Sequence, residues 1–391
     1  MNRHATGPRR RALLAALALP AIGATVGTVS VAAGAGAAAG ADATAEPDDD
    51  AVRRGRRLQF PRDHGAHLRT AIEWWYATGE LRAAGDARFG FQITFFRHRT
   101  GLAATLPGRF AARQLLFAHA ALTDLQRATH VHAQRIGRWA GDEAAQLARA
   151  SVRDTDLRLG GWTLQRRDAG GGSVYDTHFE PAPGTRLALQ LRATQPLLLQ
   201  GDAGYSRKGP DEAQASFYLS EPQLAARGRL QRDGTKVELQ GSAWLDHEWS
   251  NHLLPAQAVG WDWIGMNLDD GSALTAFQLR RADGRALWAG GSFRRAGDRA
   301  RAFAADELRF TPLRAWTSPA SGARYPVQWR LDSPVGSFTV HALLDAQELD
   351  SRASTGTTYW EGLSELRDAT DRRLGAGYLE MTGYAGRLAL G

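Results

Sequence analysis

Hydrophobic and polar residues alternate along most of the chain after residue 58, which is the pattern of β-strands with one buried face. In the clearest example, Phe89, Phe91, Ile93 and Phe95 alternate with small or polar residues. Further runs of this kind occur at Leu187/Leu189/Leu191, Val237/Leu239, Val327/Trp329/Leu331 and Phe338/Val340. Asp-Gly turn signals separate several of them. The pattern predicts an all-β protein of antiparallel barrels or sandwiches, with one short helix at residues 142–152.

A strand-like pattern occurs twice and indicates two domains. An aromatic-rich segment at residues 74–79 precedes Phe91-Gln92-Ile93, and a similar segment at residues 261–265 precedes Phe277-Gln278-Leu279. A chain of 391 residues is long enough for two domains. We therefore predict one β-domain at residues 46–237 and a second at residues 238–391. The repeat is short, so a chance similarity remains an alternative.

The first 45 residues have the features of an export signal. Three arginines at residues 9–11 precede an apolar, alanine-rich run and then a tail of small residues. The paired arginines suit twin-arginine export, and a general secretory signal is the alternative. An uncleaved membrane anchor is a third interpretation. We expect an exported protein that is periplasmic or secreted.

Composition and charge exclude several kinds of chemistry. The chain has no cysteine, which excludes disulfides, thiolate nucleophiles and cysteine-ligated zinc. Its net charge of +7 comes almost entirely from arginine. Arginine runs at residues 53–57 could contact a membrane surface or an export system, but a solvated surface is the better explanation of them. No nucleic-acid-binding motif is present, so no nucleic-acid partner is expected.

The densest concentration of acid, base and aromatic groups lies at residues 244–250. Here Asp246, His247 and Glu248 stand between Trp244 and Trp249. A carboxyl group among indole rings is costly to ionise, because removal from water disfavours the charged form and raises the pKa. Such a group can serve as a general acid, or it can be a buried structural anchor that accepts hydrogen bonds.

Five motifs occur in an order that resembles a known family. They read Glu-Trp-Trp-Tyr-Ala-Thr-Gly at 73–79, Gly-Tyr-Ser-Arg-Lys-Gly at 204–209, Asp-His-Glu-Trp at 246–249, Tyr-Trp-Glu-Gly at 359–362 and Gly-Tyr-Leu-Glu-Met-Thr-Gly-Tyr at 377–384. Together they resemble the lipocalin-like family that contains carotenoid 1,2-hydratases and AttH-like secreted proteins. The resemblance covers roughly residues 60–386.

This resemblance implies two packed lipocalin-like β-domains and a hydratase activity on isoprenoid chains. It also implies active-site positions at His247 and Trp249. A downstream tyrosine and aspartate proposed for the hydratases have no secure match in the Trp-Asp-Trp segment at residues 261–263. The family's exported members without an established reaction suit the signal-like N-terminus better.

Water addition to an unactivated alkene requires a proton donor, an apolar lining that stabilises a carbocation, and a base that takes a proton from water. We expect Asp246, His247 and Glu248 to be catalytic. The expected substrate-binding residues are Glu73, Trp75, Tyr76, Trp244, Trp249, Trp261 and Trp263. The chemistry needs no cofactor and no metal. A non-catalytic periplasmic carrier of a hydrophobic ligand, or an export accessory protein, is the alternative function.

The spacing of the three polar residues sets a limit on this scheme. On a strand, Asp246 and Glu248 would share one face and His247 would lie on the other. We expect Asp246 to be buried beside Trp249 and protonated near neutrality. Glu361 and Glu380 are interpreted as structural. Arg207 and Lys208 either bind an anionic group or lie in a solvated turn.

Overall fold

Strands make up most of the part of the chain that is described. The computed structural model describes residues 50–101, 112–142 and 144–387. Its two short 3-10 helices are Arg62–His64 and Ala84–Asp86. The strands are β1 (Ile72–Arg82), β2 (Arg88–Arg99), β3 (Gln114–Asp124), β4 (Thr129–Trp139), β5 (Ala148–Ala150), β6 (Asp156–Leu159), β7 (Trp162–Asp168), β8 (Ser173–Ala182), β9 (Thr185–Arg192), β10 (Leu198–Leu199), β11 (Tyr205–Arg207), β12 (Ala215–Arg232), β13 (Thr235–Ser250), β14 (Gly260–Leu268), β15 (Ala273–Arg280), β16 (Ala286–Arg294), β17 (Arg301–Phe303), β18 (Arg309–Thr317), β19 (Arg324–Ser333), β20 (Gly336–Ala342), β21 (Glu348–Asp350), β22 (Thr358–Arg367) and β23 (Arg373–Met381).

The strands form two antiparallel sheets, which confirms the predicted all-β fold. The first sheet has the order β4-β3-β2-β1-β13-β12-β9-β8-β7-β6-β5, with β10 and β11 also paired to β12. It curls until β3 and β4 pack against β6 and β8, so that it is nearly a closed barrel. The second sheet has the order β17-β16-β15-β14-β23-β22-β20-β19-β18, and β21 pairs with β22.

The repeated sequence pattern occupies equivalent places in the two sheets. The first copy lies on the hairpin β1–β2, and the second lies on the hairpin β14–β15. In each sheet the first strand of that hairpin also pairs with the last strand, as β1 does with β13 and β14 with β23. The two sheets therefore share this part of their strand topology, as expected for two related β-units.

The passage between the sheets lies after β13. This strand pairs with β1 and β12, so residues 238–250 belong to the first sheet. The predicted boundary between residues 237 and 238 falls inside the strand, and the chain reaches the second sheet at Gly260. The division into independently folding domains stays a prediction.

The two sheets pack face to face along β1, β2, β12 and β13 of the first sheet and β14, β22 and β23 of the second. The burial of side chains along β2 shows the effect of this packing. Phe91 and Ile93 are buried in the barrel core, as predicted, but the polar residues Gln92 and Thr94 are buried as well. Gln92 lies against the second sheet, where its Nε2 donates to Tyr359 Oη at 3.3 Å. Strands at this interface therefore have two buried faces.

The helix predicted at residues 142–152 is wrong. This segment contains β5, whose buried Ala148 and Ala150 alternate with the partly exposed Arg149. Strand β5 pairs with β6, where Leu157 and Leu159 are also buried. The composition of this segment favours a helix, but every second residue packs into the barrel core, and that spacing requires a strand. The predicted export signal at residues 1–45 lies outside the described residues, and neither short helix has the length and apolar character to cross a membrane.

Candidate functional site

A cavity lies between the two sheets, with walls formed by strands of both. It contains about 1100 Å³ of empty space, part of which is open to solvent. Its walls include the aromatic side chains of Trp74, Tyr76, Phe96, Tyr218, Trp261, Trp263, Phe277 and Tyr359. Four carboxyl groups also line it, from Asp246, Glu248, Glu361 and Glu380. Apolar surroundings and several acids are thus combined in one chamber.

Two acids of the first sheet line this cavity, Asp246 and Glu248, and Asp246 is the one with no cationic partner in the described part of the chain. It is only 3% exposed and forms no ion pair within residues 50–101, 112–142 and 144–387. Its carboxyl accepts hydrogen bonds from Ser220 Oγ at 2.6 Å, Trp244 Nε1 at 2.6 Å and Tyr218 Oη at 2.7 Å. Burial raises the pKa of Asp246 to about 7, even though the three donors favour the ionised form. Asp246 can therefore carry a proton near neutral pH.

The pairing of β12 with β13 explains how these groups meet. Ser220 lies opposite Asp246, and Tyr218 lies opposite Glu248. Alternate residues of a strand share a face, so Trp244, Asp246 and Glu248 all point toward the cavity. Trp263 of the second sheet donates its Nε1 hydrogen to Tyr218 Oη at 2.9 Å. The hydrogen bonds around Asp246 thus include one from the opposite wall.

Glu248 differs from Asp246 because it has a cation beside it. Lys208 Nζ lies 2.6 Å from Glu248 Oε1, and Ser216 Oγ donates to the same oxygen at 2.5 Å. The Lys208 ammonium also lies over the Phe277 ring, 4.5 Å from its centroid. Lys208 is therefore part of the cavity wall, and of the two interpretations of this lysine the solvated turn is wrong. Its charge is already matched by Glu248.

His247 lies on the opposite face of β13, as the strand periodicity predicted. It is buried against Trp75 with the two ring centroids 4.5 Å apart, and its Nε2 lies 2.9 Å from Glu73 Oε1. Burial lowers the pKa of His247. Asp246 and His247 thus face different compartments, so the predicted Asp246-His247-Glu248 triad is not assembled in the cavity.

Glu73 belongs to the same buried cluster as His247. Arg97 Nε lies 2.8 Å from Glu73 Oε2, and His67 Nδ1 lies 2.7 Å from Glu73 Oε1. Although burial acts in the other direction, Arg97 and then His67 hold the pKa of Glu73 well below its usual range. Trp249 stacks on His67 with a centroid separation of 3.7 Å. The expected substrate-binding residues Glu73, Trp75 and Trp249 therefore do not reach the cavity.

Among the described residues, the side chains that could together hold a metal ion also lie in this cluster. One potential ligand atom each from His67, Glu73 and His247 lies within 4.8 Å of the others. However, Glu73 Oε1 already has both imidazoles as hydrogen-bond partners, and its other oxygen has Arg97. The hydrogen bonds and the guanidinium charge satisfy the carboxylate without a metal, so the cluster fits a structural anchor.

Two further acids of the cavity were interpreted as structural from the sequence. Glu361 of β22 and Glu380 of β23 are directly opposite each other. Burial, followed by the charge of Glu380, raises the pKa of Glu361 well above its usual range. Burial also raises the pKa of Glu380 to about 7, with further contributions from Asp246 and Glu248. Both were in motifs noted in the sequence, but only strand pairing shows that they meet.

The structure therefore divides the predicted site residues into two groups. The cavity side contains Tyr76, Trp244, Asp246, Glu248, Trp261 and Trp263. The opposite side contains Glu73, Trp75, His247 and Trp249. The expected neighbour of Asp246 was Trp249, and the residue that contacts it is Trp244. Sequence reasoning missed Tyr218 and Ser220, whose hydroxyls have no local sequence signal that would pair them with Asp246.

The fold and the cavity define an all-β protein with an acid-rich, aromatic-lined chamber between two antiparallel sheets. The AttH-like family model matches residues 51–384, and the chain belongs to the AttH-like family. A crystal structure of an AttH-like protein from Nitrosomonas europaea is 43% identical and has a TM-score of 0.78, over 85% of this chain and 99% of that one. No curated protein matches the chain in sequence.

Two more distant structures share the fold. Kievitone hydratase from Nectria haematococca is 15% identical with a TM-score of 0.65, over 83% of this chain and 92% of that one. CghA with Sch210972 is 16% identical with a TM-score of 0.50, over 82% of this chain and 89% of that one. At these identities, the similarity shows the fold alone.

Proposed function

We propose that the protein is a cofactor-independent hydro-lyase that adds water to an alkene of an apolar, isoprenoid- or polyketide-like molecule. The observation that carries the proposal is Asp246, a buried carboxyl on the wall of an aromatic-lined cavity, with no cationic partner among the residues that the structure describes. An alkene is a weak base, so its protonation requires an acid that holds its proton at neutral pH in surroundings that exclude water. Asp246 meets this requirement.

The cavity residues supply the remaining steps of such a reaction. Asp246 transfers its proton to one alkene carbon, and the other carbon becomes cationic. The indole faces of Trp261 and Trp263 attract this cation, each by about 0.5–2 kcal/mol. A water molecule then bonds to the cationic carbon and loses a proton to a carboxylate on the wall, such as Glu248. Return of that proton to Asp246 completes the addition of water, with no net oxidation or reduction.

The relatives support this proposal in a limited way. Kievitone hydratase is by name a hydratase, and it has the same fold. The name of the more similar AttH-like protein from Nitrosomonas europaea refers to no reaction. The support for catalysis in this chain therefore comes from the acids of its own cavity.

A carrier of hydrophobic molecules is the second candidate, and the apolar lining of the cavity favours it. Chambers of this kind, with a few polar groups among aromatic side chains, bind small apolar ligands. A carrier explains the aromatic walls without any reaction. It does not explain why several uncompensated acids face the ligand, since apolar side chains would line a simple carrier at lower cost. We therefore rank catalysis first.

Incubation with defined alkenes tests the choice between these functions. Purified protein would be mixed with squalene, with geraniol and with a lipid extract of its host, and mass spectrometry would detect products heavier by one water. We expect product with the wild type and a loss of about 100-fold or more in Asp246→Asn. Glu221→Gln is the matched control, because Glu221 is a buried acid bonded to Tyr175 and Ser173 outside the cavity lining.

The outcome separates the two candidates. Product that is retained in Glu221→Gln and lost in folded Asp246→Asn would establish a hydratase that depends on Asp246. Lipid that co-purifies and returns unchanged would instead identify a carrier. Export by the signal-like residues 1–45 is a separate proposal, supported by their arginines and apolar run. Fractionation of producing cells, with Arg9 and Arg10 both replaced by lysine for comparison, would test it.

A further inference from the structure

Two buried polar atoms of the cavity lack well-aligned hydrogen bonds to the described part of the chain. They are Tyr76 Oη and Glu361 Oε1, and neither forms a well-aligned hydrogen bond with any of the described residues. Tyr76 is 6% exposed and Glu361 is 2% exposed. Buried polar atoms in folded proteins are nearly always paired, so each unpaired one requires an explanation. Both residues line the cavity, where a bound molecule could supply the missing partner.

The two residues come from different sheets and line the same cavity. Tyr76 lies on β1, directly opposite Asp246 of β13, and Glu361 lies on β22. The Tyr76 ring packs edge-on against Trp263, with centroids 5.3 Å apart. Burial, then the charges of Glu361 and Glu380 and a weak hydrogen bond with Glu361, raises the pKa of Tyr76. The tyrosine and the carboxyl thus form one polar spot in an aromatic chamber.

Glu361 is the member of this spot that would carry a proton. It faces Glu380 directly across two paired strands, and it forms no ion pair within the described parts of the chain. Two adjacent carboxyl groups cannot both ionise in a site that is shielded from water. A neutral Glu361 carboxyl has an O–H to donate, as the Tyr76 hydroxyl does.

We propose that Tyr76 and Glu361 form a binding site for a carbonyl oxygen of the substrate, as two hydrogen-bond donors that converge on one acceptor. A tyrosine hydroxyl with a neutral carboxylic acid is an established donor pair for such an oxygen in a ketone-processing enzyme, which is a general example from another fold. The ligand is then an apolar molecule that carries a ketone or enone group, rather than a pure hydrocarbon.

This site would also fix where the alkene lies. Tyr76 and Asp246 are paired positions on adjacent strands, whose Cα atoms are about 4.5–5.5 Å apart. A carbonyl held by Tyr76 therefore lies a few carbon atoms from the Asp246 proton. This positioning role rests on the proposed hydratase function, whereas recognition of the oxygen can be measured without turnover.

A matched pair of probes tests the oxygen site. Benzophenone has a carbonyl group that diphenylmethane replaces with a methylene, and the two molecules are otherwise alike. Calorimetry should show that the wild type binds benzophenone about tenfold more tightly, because two hydrogen bonds are gained. Infrared spectra should show the carbonyl stretch of bound benzophenone at lower frequency than in hexane.

Variants identify the residues responsible. Tyr76→Phe and Glu361→Leu each remove one donor and should bring the two affinities close together, while Glu361→Gln keeps an N–H donor and should retain part of the preference. Tyr175→Phe is the control, since Tyr175 is a buried tyrosine bonded to Glu221 outside the cavity lining. Circular dichroism would confirm that each variant is folded.

Equal affinity of the wild type for the two probes, an unshifted carbonyl band, or no measurable binding of benzophenone would overturn the inference. So would a carbonyl preference that survives in folded Tyr76→Phe and Glu361→Leu. A carbonyl preference without any hydration of alkenes would leave the oxygen site standing and reject the hydratase. Hydration of alkenes without a carbonyl preference would support the hydratase and reject the oxygen site.

Discussion

The residues around Asp246 determine whether its carboxyl holds a proton. The neighbouring Glu248 is also buried, but Lys208 stands 2.6 Å from it, whereas Asp246 has three neutral donors and no described cation. Burial without a counter-charge keeps the proton on Asp246. Two carboxyls on one strand face therefore differ in their surroundings: Asp246 can hold a proton near neutral pH, and Glu248 lies beside Lys208.

The raised pKa of Asp246 predicts a dependence of stability on pH. The ordinary value is 3.8, and the value in the folded protein is about 7. Below about pH 3.8 Asp246 is protonated in both the folded and the unfolded protein, so this group does not reduce the stability of the fold. As the pH rises between the two values, the unfolded chain releases this proton first, so folding loses up to roughly 4 kcal/mol from this group by neutral pH.

Asp246→Asn removes this loss, because asparagine does not ionise. Urea unfolding from about pH 5 to about pH 8 should show the variant gaining stability relative to the wild type as the pH rises. Asp298→Asn, in an exposed turn, is the control and should follow the wild type. A constant difference between Asp246→Asn and the wild type across this range would show that Asp246 is ionised throughout.

Glu73 illustrates the opposite role for a buried acid. Its carboxylate is bound by Arg97 and two histidines, so Glu73→Gln would leave the guanidinium without its counter-charge. Loss of one member of a buried ion pair costs about 3–5 kcal/mol, which denaturant unfolding should detect. The exposed pair Arg229–Glu238 provides the control, and Glu238→Gln should cost less than about 1 kcal/mol. A fully stable Glu73→Gln protein that loses activity would place Glu73 in the mechanism instead.

At the scale of strands, register decides which residues meet. The pairing of β12 with β13 brings Ser220 to Asp246, and the pairing of β22 with β23 brings Glu361 to Glu380. The central strand β14 also has to lie very close to β23. Glycine permits this approach, because a Cβ at Gly377 would lie 1.9 Å from the Gly265 carbonyl oxygen.

Gly377→Ala should therefore disturb the second sheet. The added methyl group has to push β14 and β23 apart, which we expect to lower the free energy of unfolding by about 1–3 kcal/mol in a denaturant titration. Gly172→Ala is the control, since a Cβ there meets only Ala193 at 3.8 Å. Equal stability of the two variants would contradict the close approach of β14 to β23.

Most of the strands and the fold class could be predicted from the sequence, whereas the site could be predicted only in part. Alternation in β2 and β9 gave the all-β fold, and periodicity along β13 correctly separated His247 from Asp246. The expected contact of Asp246 with Trp249 was wrong for the same reason, since residues an odd number apart on a strand face opposite sides. The partners of Asp246 on β12, and the opposition of Glu361 and Glu380, depend on register that no local pattern specifies.

At the scale of the whole molecule, the cavity exists only because both sheets are present. Tyr76, Trp244, Trp263 and Tyr378 form one buried cluster between them. The described contacts join residues of both sheets into one compact unit. We therefore expect calorimetry to show one unfolding transition for both sheets, since apolar surface on each is buried by the other. Two well-separated transitions would contradict a shared core at the cavity.

The central claim is that Asp246 holds a proton at neutral pH inside the cavity. Infrared spectroscopy of protein labelled with ¹³C-aspartate would measure this directly, by comparing the wild type with Asp246→Asn from about pH 5 to about pH 8. We predict a protonated-carboxyl band that is absent in the variant and that titrates near pH 7 in the wild type. A spectrum in which Asp246 is ionised across the whole range would contradict its role as the acid.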